Sequence, residues 1–323
     1  MSLKNTPSEV LELILCHLDA KELACAALVR RSFTEAARRY LYQSVHLRIG
    51  PDTIHTIRLI HQRPDLAQNV QKLKLDYHLN PHDPEHPSDP DLACLLLQTD
   101  DDSDQDANAF RTRPPQPFTT APLSDLISKF PNVHHLILTN IHGNPAPWKA
   151  LPPLALPPII TTITIDTPHP NPLVTSITNH PSLQTLCFLP AAAQSSPRAV
   201  ISPLTPLDDF CSLRRLVIHA PFLALDRLFP ARRCFGRLSM LLPETLEEVR
   251  ITNGACKAAR MVGAWARMVR EKADNVPGLK LLVLEEVERH LEEVEPWWDL
   301  MLAGKEKGVG VVVVNCGMLR RRS

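Results

Sequence analysis

Glycine is scarce in this chain: 10 of 323 residues, under half the ordinary ~7%. Loops that cradle phosphate need glycine, because backbone amides must approach the ligand closely, so nucleotide-binding enzymes are disfavoured from the start. Aromatic residues are few, at 5%, and charge of one sign is missing altogether, with 35 Lys plus Arg against 35 Asp plus Glu. Zero net charge removes the long-range field that draws a protein to nucleic acid or anionic lipid, so neither is expected as a partner. There is no long apolar run. The longest stretch free of Asp, Glu, Lys and Arg, Thr167 to Pro197, carries six prolines and many polar residues, which a spanning helix does not tolerate. The eight cysteines are scattered without a CxxC pair, which argues against both a disulfide scaffold and a zinc site. Lys4, Glu9 and Glu12 interrupt any apolar signal-peptide core, and a reduced intracellular compartment, cytoplasmic and/or nuclear, is expected.

Proline is abundant, 31 of 323, nearly twice the ordinary ~5%. A chain of this length buries about 75% of its unfolded surface, enough for a large core or one elongated array. Three textures divide it. Residues 1–43 are helical in pattern and almost free of breakers after Pro7. Residues 80–122 hold nine acids and no Lys or Arg between Asn80 and Phe110, with prolines at both ends; self-repulsion and the shortage of apolar residues predict a disordered insertion or long loop. The remainder, through residue 317, returns repeatedly to one phrase, and residues 318–323 form a basic tail.

The phrase reads VQKLKLDY from Val70, VHHLILTN from Val133, ITTITIDT from Ile160, LQTLCFLP from Leu183, LRRLVIHA from Leu213, LEEVRITN from Leu246 and LKLLVLEE from Leu279. Apolar residues stand at positions one, four and six. The fourth positions are Leu73, Leu136, Ile163, Leu186, Leu216, Val249 and Leu282, and the steps after the insertion are 27, 23, 30, 33 and 33 residues. SVHLRI, with Val45 and Leu47, precedes the series, and GVVVVN, with Val312 and Val314, follows it. Alternation over a few residues predicts a strand with one buried face. A strand recurring at this interval, with room for a helix between, predicts stacked units that hide one another's apolar faces. Leu123–Phe130 and Leu173–His180 are expected as short helices ending before Pro131 and Pro181. Residues 255–272 are expected as an amphipathic helix with Met261, Ala264, Trp265, Met268 and Val269 inward. Trp297 and Trp298, with Val294, Met301 and Leu302, are expected on the core side of the helix before the last strand. The strand spacing alone also allows a doubly wound α/β domain, although no glycine-rich turn follows a first strand as a nucleotide binder of that class would require.

In the opening segment, Thr6 or Ser8 is expected to cap a helix through Leu18, striped by Val10, Leu11, Ile14, Leu15 and Leu18. Asp19 is expected to cap a second helix holding Leu23, Ala26, Ala27 and Val29, and Ser32 a third with Phe33, Ala36, Ala37 and Tyr40 or Leu41 inward.

Two resemblances follow from these residues. The phrase LxxLxL resembles leucine-rich repeats, over about 230 residues and in degenerate form: the Asn or Cys that usually follows the strand is approached only by Asn140 and Asn253. The N-terminal segment resembles an F-box at Pro7, Glu9, Val10, Leu11, Ile14 and Leu18, then Leu23, Ala27, Leu28, Val29, Arg30 and Phe33. Thr6 stands where that family usually has Leu. Ala37–Leu47 resembles the exit of fungal F-box proteins, where the third helix passes directly into the first repeat strand. The resemblance implies an α/β fold: a three-helix F-box over 1–43, then a solenoid over 44–317 with parallel strands on a concave face and helices or turns on a convex one. It implies a substrate-recruiting subunit of an SCF-type cullin-RING ubiquitin ligase, without catalytic residues or cofactor, docked on the Skp-type adaptor and holding an unknown protein substrate. The expected adaptor contacts are Pro7, Val10, Leu11, Ile14, Leu15, Leu18, Leu23 and Val29, some of which must instead hold the helices together. On the strand face the expected substrate contacts are Lys72, Lys74, His135, Thr162, Arg215, His219 and Arg250. The alternative is a leucine-rich-repeat scaffold or ligand sensor whose helices merely cap the array.

Other constellations fail on their own terms. His82, Asp83, Glu85 and His86 suggest a metal site, but Pro81, Pro84 and Pro87 forbid the helix that would align two imidazoles. His134 and His135 point to opposite faces of a strand. No HExxH, GxSxG or GxxxxGK[ST] occurs, so no enzyme class is indicated.

Overall fold

A computed structural model describes residues 7–29, 31–49, 60, 62–77, 120–139, 153–167, 171–177, 180–189, 207, 209–219, 242–252, 258–270, 276–285 and 294–314. The chain divides into two compact units, Met1–Ile137 and Leu138–Ser323.

The first unit opens with α1 (Ser8–Leu15), α2 (Ala20–Val29) and α3 (Arg31–Gln43), and α3 runs straight into β1 (Ser44–Ile49). Then follow α4 (Pro64–Ala67), β2 (Lys72–Tyr77), α5 (Thr120–Ser128) and β3 (His135–Thr139), within which the unit boundary falls. Helix α1 begins after Pro7, whose φ of −54° and ψ of 148° set the entry angle without any side-chain cap. Ser8 is therefore the first helical residue rather than a cap, and Thr6 lies outside the described residues. The helix is also shorter than its apolar stripe predicts. It closes at Leu15, and two i→i+3 bonds, from His17 N–H to Ile14 O at 3.2 Å and from Leu18 N–H to Leu15 O at 3.1 Å, tighten the exit. Asp19 caps α2 as expected. Its Oδ1 accepts from Lys21 N–H at 2.9 Å and Glu22 N–H at 2.8 Å, while Glu22 Oε2 accepts from Asp19 N–H at 2.8 Å, a reciprocal capping box. Ser32, expected as the cap of the third helix, is the second residue of α3. Composition places a break at 80–122; residues 80–119 lie outside the described residues, and α5 begins at Thr120, inside its last three residues.

The second unit holds β4 (Thr162–Asp166), α6 (Asn171–Ser176), β5 (Thr185–Leu189), β6 (Arg215–His219), β7 (Glu248–Thr252), α7 (Ala258–Arg270), β8 (Leu281–Glu285), α8 (Val294–Lys307) and β9 (Gly310–Val314). Strand order in the sheet is β1 to β9, the order in the chain, and the sheet is not closed. Pairs β1–β2 and β4 through β9 are parallel and keep the phrase in register: Ile163 lies beside Leu186, then Leu216, Val249 and Leu282.

Positions one, four and six of every phrase are sequestered. Val70, Leu73 and Leu75 in the first unit, and Leu213, Leu216 and Ile218 in the second, are all at most 1% exposed. Within the second unit, successive strands are also fastened to one another through a shared carbonyl. Thr161 O accepts both Gln184 and Thr185 N–H at 2.9 Å, Gln184 O accepts Arg214 and Arg215 N–H at 2.9 Å, and Glu247 O accepts Lys280 N–H at 2.8 Å and Leu281 N–H at 3.0 Å. The residue before position one adds a side-chain link: Ser212 Oγ donates to Pro181 O at 2.5 Å and Thr245 Oγ1 to Leu213 O at 2.8 Å. Backbone donors entering these strands thus find partners at the entry of the preceding strand.

Helix α7 buries Val262, Trp265, Ala266, Met268 and Val269, a helical spacing that contains the predicted Trp265, Met268 and Val269. Helix α8 packs on α7, with Arg270 donating to Asp299. Its inward face is not the predicted one. Leu300 and Ala303 are fully buried, whereas Trp298 is 70% exposed and Met301 and Leu302 are exposed too. The helix approaches β9 through Gly304, where an added Cβ would stand 2.7 Å from Val311 Cγ2 and 2.8 Å from Val309 O. That close approach fixes which side of α8 faces the sheet and turns Trp298 away. Gly308, at φ 65°, ends the helix in a conformation side chains rarely adopt. In β9 it is Val311 and Val313 that lie beside Leu282 and Leu284, while Val312 and Val314 are exposed. A run of four valines carries no alternation, so the sequence supplies the strand without its phase, and a one-residue slip exchanges the faces.

Candidate functional site

Two surfaces could hold partners. The first belongs to the opening helices. Leu15, Leu23 and Ala37 form their buried centre, with Leu18, Ala26, Ala27, Ala36, Tyr40 and Leu41 packed around it. Thr34 Oγ1 donates to Ala27 O at 2.8 Å, tying α3 to α2. Arg39 pairs with Glu12 at 3.3 Å between α3 and α1, an exposed ion pair of small worth.

This packing sorts the predicted adaptor contacts. Leu15 and Leu23 are buried and Leu18 is half-buried in the packed centre of the helices, so these hold the helices together, and Leu11 is buried too. Pro7, Val10, Ile14 and Val29 are exposed. Residues Val10, Leu13 and Ile14 share one side of α1, at i, i+3 and i+4, with exposures of 43%, 65% and 47%; at the end of α2, Leu28 and Val29 are 88% and 74% exposed. Leu13 and Leu28 were not among the predicted contacts. The signal for Leu13 was its spacing of three from Val10.

The second surface is the sheet face carrying positions three, five and seven. In the second unit the register lines up Thr162, Thr185, Arg215, Glu248 and Leu281 in one row, and Thr164, Cys187, Val217, Arg250 and Val283 in the next. Arg215 lies 3.1 Å from Glu248, Arg250 lies 3.6 Å from the same carboxylate and 2.9 Å from Glu285. Two predicted contacts, Arg215 and Arg250, are therefore brought together through Glu248. Thr162 stands two strands away in the Arg215 row. His219 is buried beside Thr252, at 3.4 Å from its hydroxyl, and burial pushes its imidazole below the usual value. Burial pushes the Cys187 thiol up, with Thr164, Arg215 and Arg250 acting the other way. Outside these rows, Arg214, Glu247 and Lys280 repeat the alternation of sign, Lys280 lying 2.8 Å from Glu247 and holding its carboxyl below the usual range.

In the first unit the same face carries Ser44, His46 and Arg48 on β1 beside Lys72, Lys74 and Asp76 on β2. His46 lies 3.4 Å from Asp76. His135 is half-buried; burial and the Lys72 ammonium push its imidazole below the usual value. Lys72 and His135 are thus neighbours.

Among the described residues no three His, Cys, Asp or Glu side chains meet to hold a metal ion, and no helix is long and apolar enough to cross a membrane. The His82 to His86 group, Asn140 and Asn253 lie outside the described residues.

Compared with known proteins, residues 5–48 match the family model described as F-box-like. The match spans α1, α2, α3 and all but the last residue of β1. No curated protein matches the chain.

Proposed function

We propose that residues 5–48 dock on a Skp-type adaptor and that the strand-bearing remainder holds a protein substrate, making the chain a recruiting subunit of an SCF-type cullin-RING ubiquitin ligase. The observation that carries this reading is the outward apolar set Val10, Leu13, Ile14, Leu28 and Val29 within a segment that matches the F-box-like model. Burying one such side chain is worth roughly 1.5–3 kcal/mol, so a partner covering all five gains a large driving force. The chain's contribution is effective concentration, turning encounter between substrate and charged enzyme into a tethered event. That role places the protein in the cytoplasm, the nucleus or both, with leucine-rich-repeat-like strands as the substrate scaffold.

The test is co-purification with a Skp-type adaptor. Ile14→Asp and Leu28→Asp, at exposed positions, should abolish capture while leaving the chain folded. Leu11→Asp is a poor probe because Leu11 is buried, and its loss of capture would report unfolding. Full capture by both exposed variants removes the proposal and leaves the helices as a cap on a repeat scaffold or ligand sensor.

A further inference from the structure

The sheet of the second unit ends on an open side. Strand β8 is paired on both edges, by β7 and by β9, whereas β9 is paired with β8 alone among the described residues. The helix layer ends in the same place. Helix α8 packs on α7. Arg270 of α7 donates to Asp299 and lies in the field of Glu306, seven residues further along the same side of α8. Met301 follows Asp299 by two residues, about 200° round the helix, so it stands on the side opposite α7. Trp298, Met301 and Leu302, at i, i+3 and i+4, make that side apolar, and all three are exposed.

An array of stacked strands and helices meets water through a polar end, and a free sheet edge is ordinarily blunted by charge, proline or a bulge. Gly310–Val314 carries neither charge nor proline, and its Val312 and Val314 are exposed. Helix α8 and β9 are joined by Gly308 and Val309 alone, so the chain doubles back there, and Gly304 abuts Val311. One strand step beyond Val311, about 3.3 Å, equals about two helix residues. That sets Val312 level with Leu302. The middle of the free strand and the middle of the apolar helix side therefore stand at one height.

We propose that this side docks a second copy of the chain across a two-fold axis at Val312, with β9 antiparallel to its counterpart and α8 beside α8. The inference goes beyond the adaptor and substrate roles. Such an axis sets Gly310 opposite Val314 and Val311 opposite Val313 of the second copy, and it brings Val312 against itself. Inward valines stay inward and outward ones outward, while the free backbone groups of each edge gain partners. The same rotation lays Met301 and Leu302 against their equivalents and brings Lys305 near Trp298 of the second copy, a cation–π pairing. Both layers thus close through one isologous contact. A second copy fits better than a charged partner, because the strand offers no charge to be read. The exposed parts of Trp298, Met301, Leu302, Val312 and Val314 come to roughly 500 Å² per copy, so the pair buries about 1,000 Å² before backbone and Lys305 are counted, which approaches the lower end of stable interfaces.

The experiment is sedimentation equilibrium on the full chain. The wild-type protein should reach twice the monomer mass and dissociate on dilution, with the micromolar affinity that suits a contact of this size. Val312→Lys and Val312→Glu each bring a charge against its own copy at the axis. Each should be monomeric and, by circular dichroism, folded, since Val312 is exposed in the free chain. Mixed in equal amounts, the two should re-form a dimer. Trp298→Ala with Met301→Ala should weaken the wild-type dimer about 100-fold, tenfold for each side chain truncated. A wild-type monomer at every concentration, a dimer untouched by both charged variants, or no dimer on mixing them would each overturn the proposal. Leu28→Asp, which probes adaptor docking, should leave the dimer intact, and Val312→Lys should leave adaptor capture intact, so the two readings fail separately.

Discussion

The opening helices and the strands treat the same residue type in opposite ways. Leu73, Leu136, Leu186 and Leu282 are wholly sequestered, whereas Leu13 and Leu28 stand 65% and 88% exposed. The strands spend their leucines on their own stacking, because a parallel unit cannot hide its apolar face alone. The helices hide only what a centre of Leu15, Leu23 and Ala37 requires and leave the rest outward. Apolar surface in excess of what a fold needs for itself is surface another molecule can use.

That contrast can be broken at its strongest point first. Phe188→Ala, in β5 and fully buried, should cost about 3–5 kcal/mol from lost transfer energy and the cavity left behind; chemical denaturation checks it. Leu28→Ala should change stability by no more than about 0.5 kcal/mol, since an exposed side chain has little to lose in the free protein. Equal costs would mean the two regions are packed alike. Gly304→Val is expected to cost about 1–3 kcal/mol, because the added atoms meet backbone and Val311 where α8 approaches β9; a lowered melting temperature reports it. Asp19→Ala removes both bonds to the α2 N-terminus and should cost about 1 kcal/mol, sharpening how far the helices depend on local capping.

The smallest effect concerns titration of the strand face. Burial lowers the His219 pKa in the folded state, so the folded protein favours the neutral ring. The contribution is fully present above the unfolded imidazole value of about 6.5 and is lost as pH falls through the folded value. His219→Gln should flatten that acid-side dependence in a series of melting curves between neutral and mildly acidic pH; an unchanged curve would assign it elsewhere.

The strands were legible because their phrase repeats the same three apolar positions, and those positions are buried in every phrase from Val70 to Leu284. Asp19 was legible as a cap because Glu22 three residues later completes the box. What stayed hidden lacked phase or depended on a neighbour. The valine run of β9 is apolar at every step, so nothing in it distinguishes Val311 from Val312. Trp298 reads as core by composition, and only the approach of Gly304 to Val311 turns it outward. Among the helix contacts, Leu11 is buried and Ile14 exposed, a choice that spacing along a single helix does not specify. The charge rows needed the register: Arg215 and Glu248 are 33 residues apart in the chain and 3.1 Å apart in the sheet.

The most direct test of docking through the opening helices is amide hydrogen exchange of the full chain with and without a Skp-type adaptor. Protection is expected to rise over Ser8–Leu15 and Ala20–Val29, with β4 to β9 unchanged. Protection confined to the strands, or none anywhere at saturating adaptor, would contradict it.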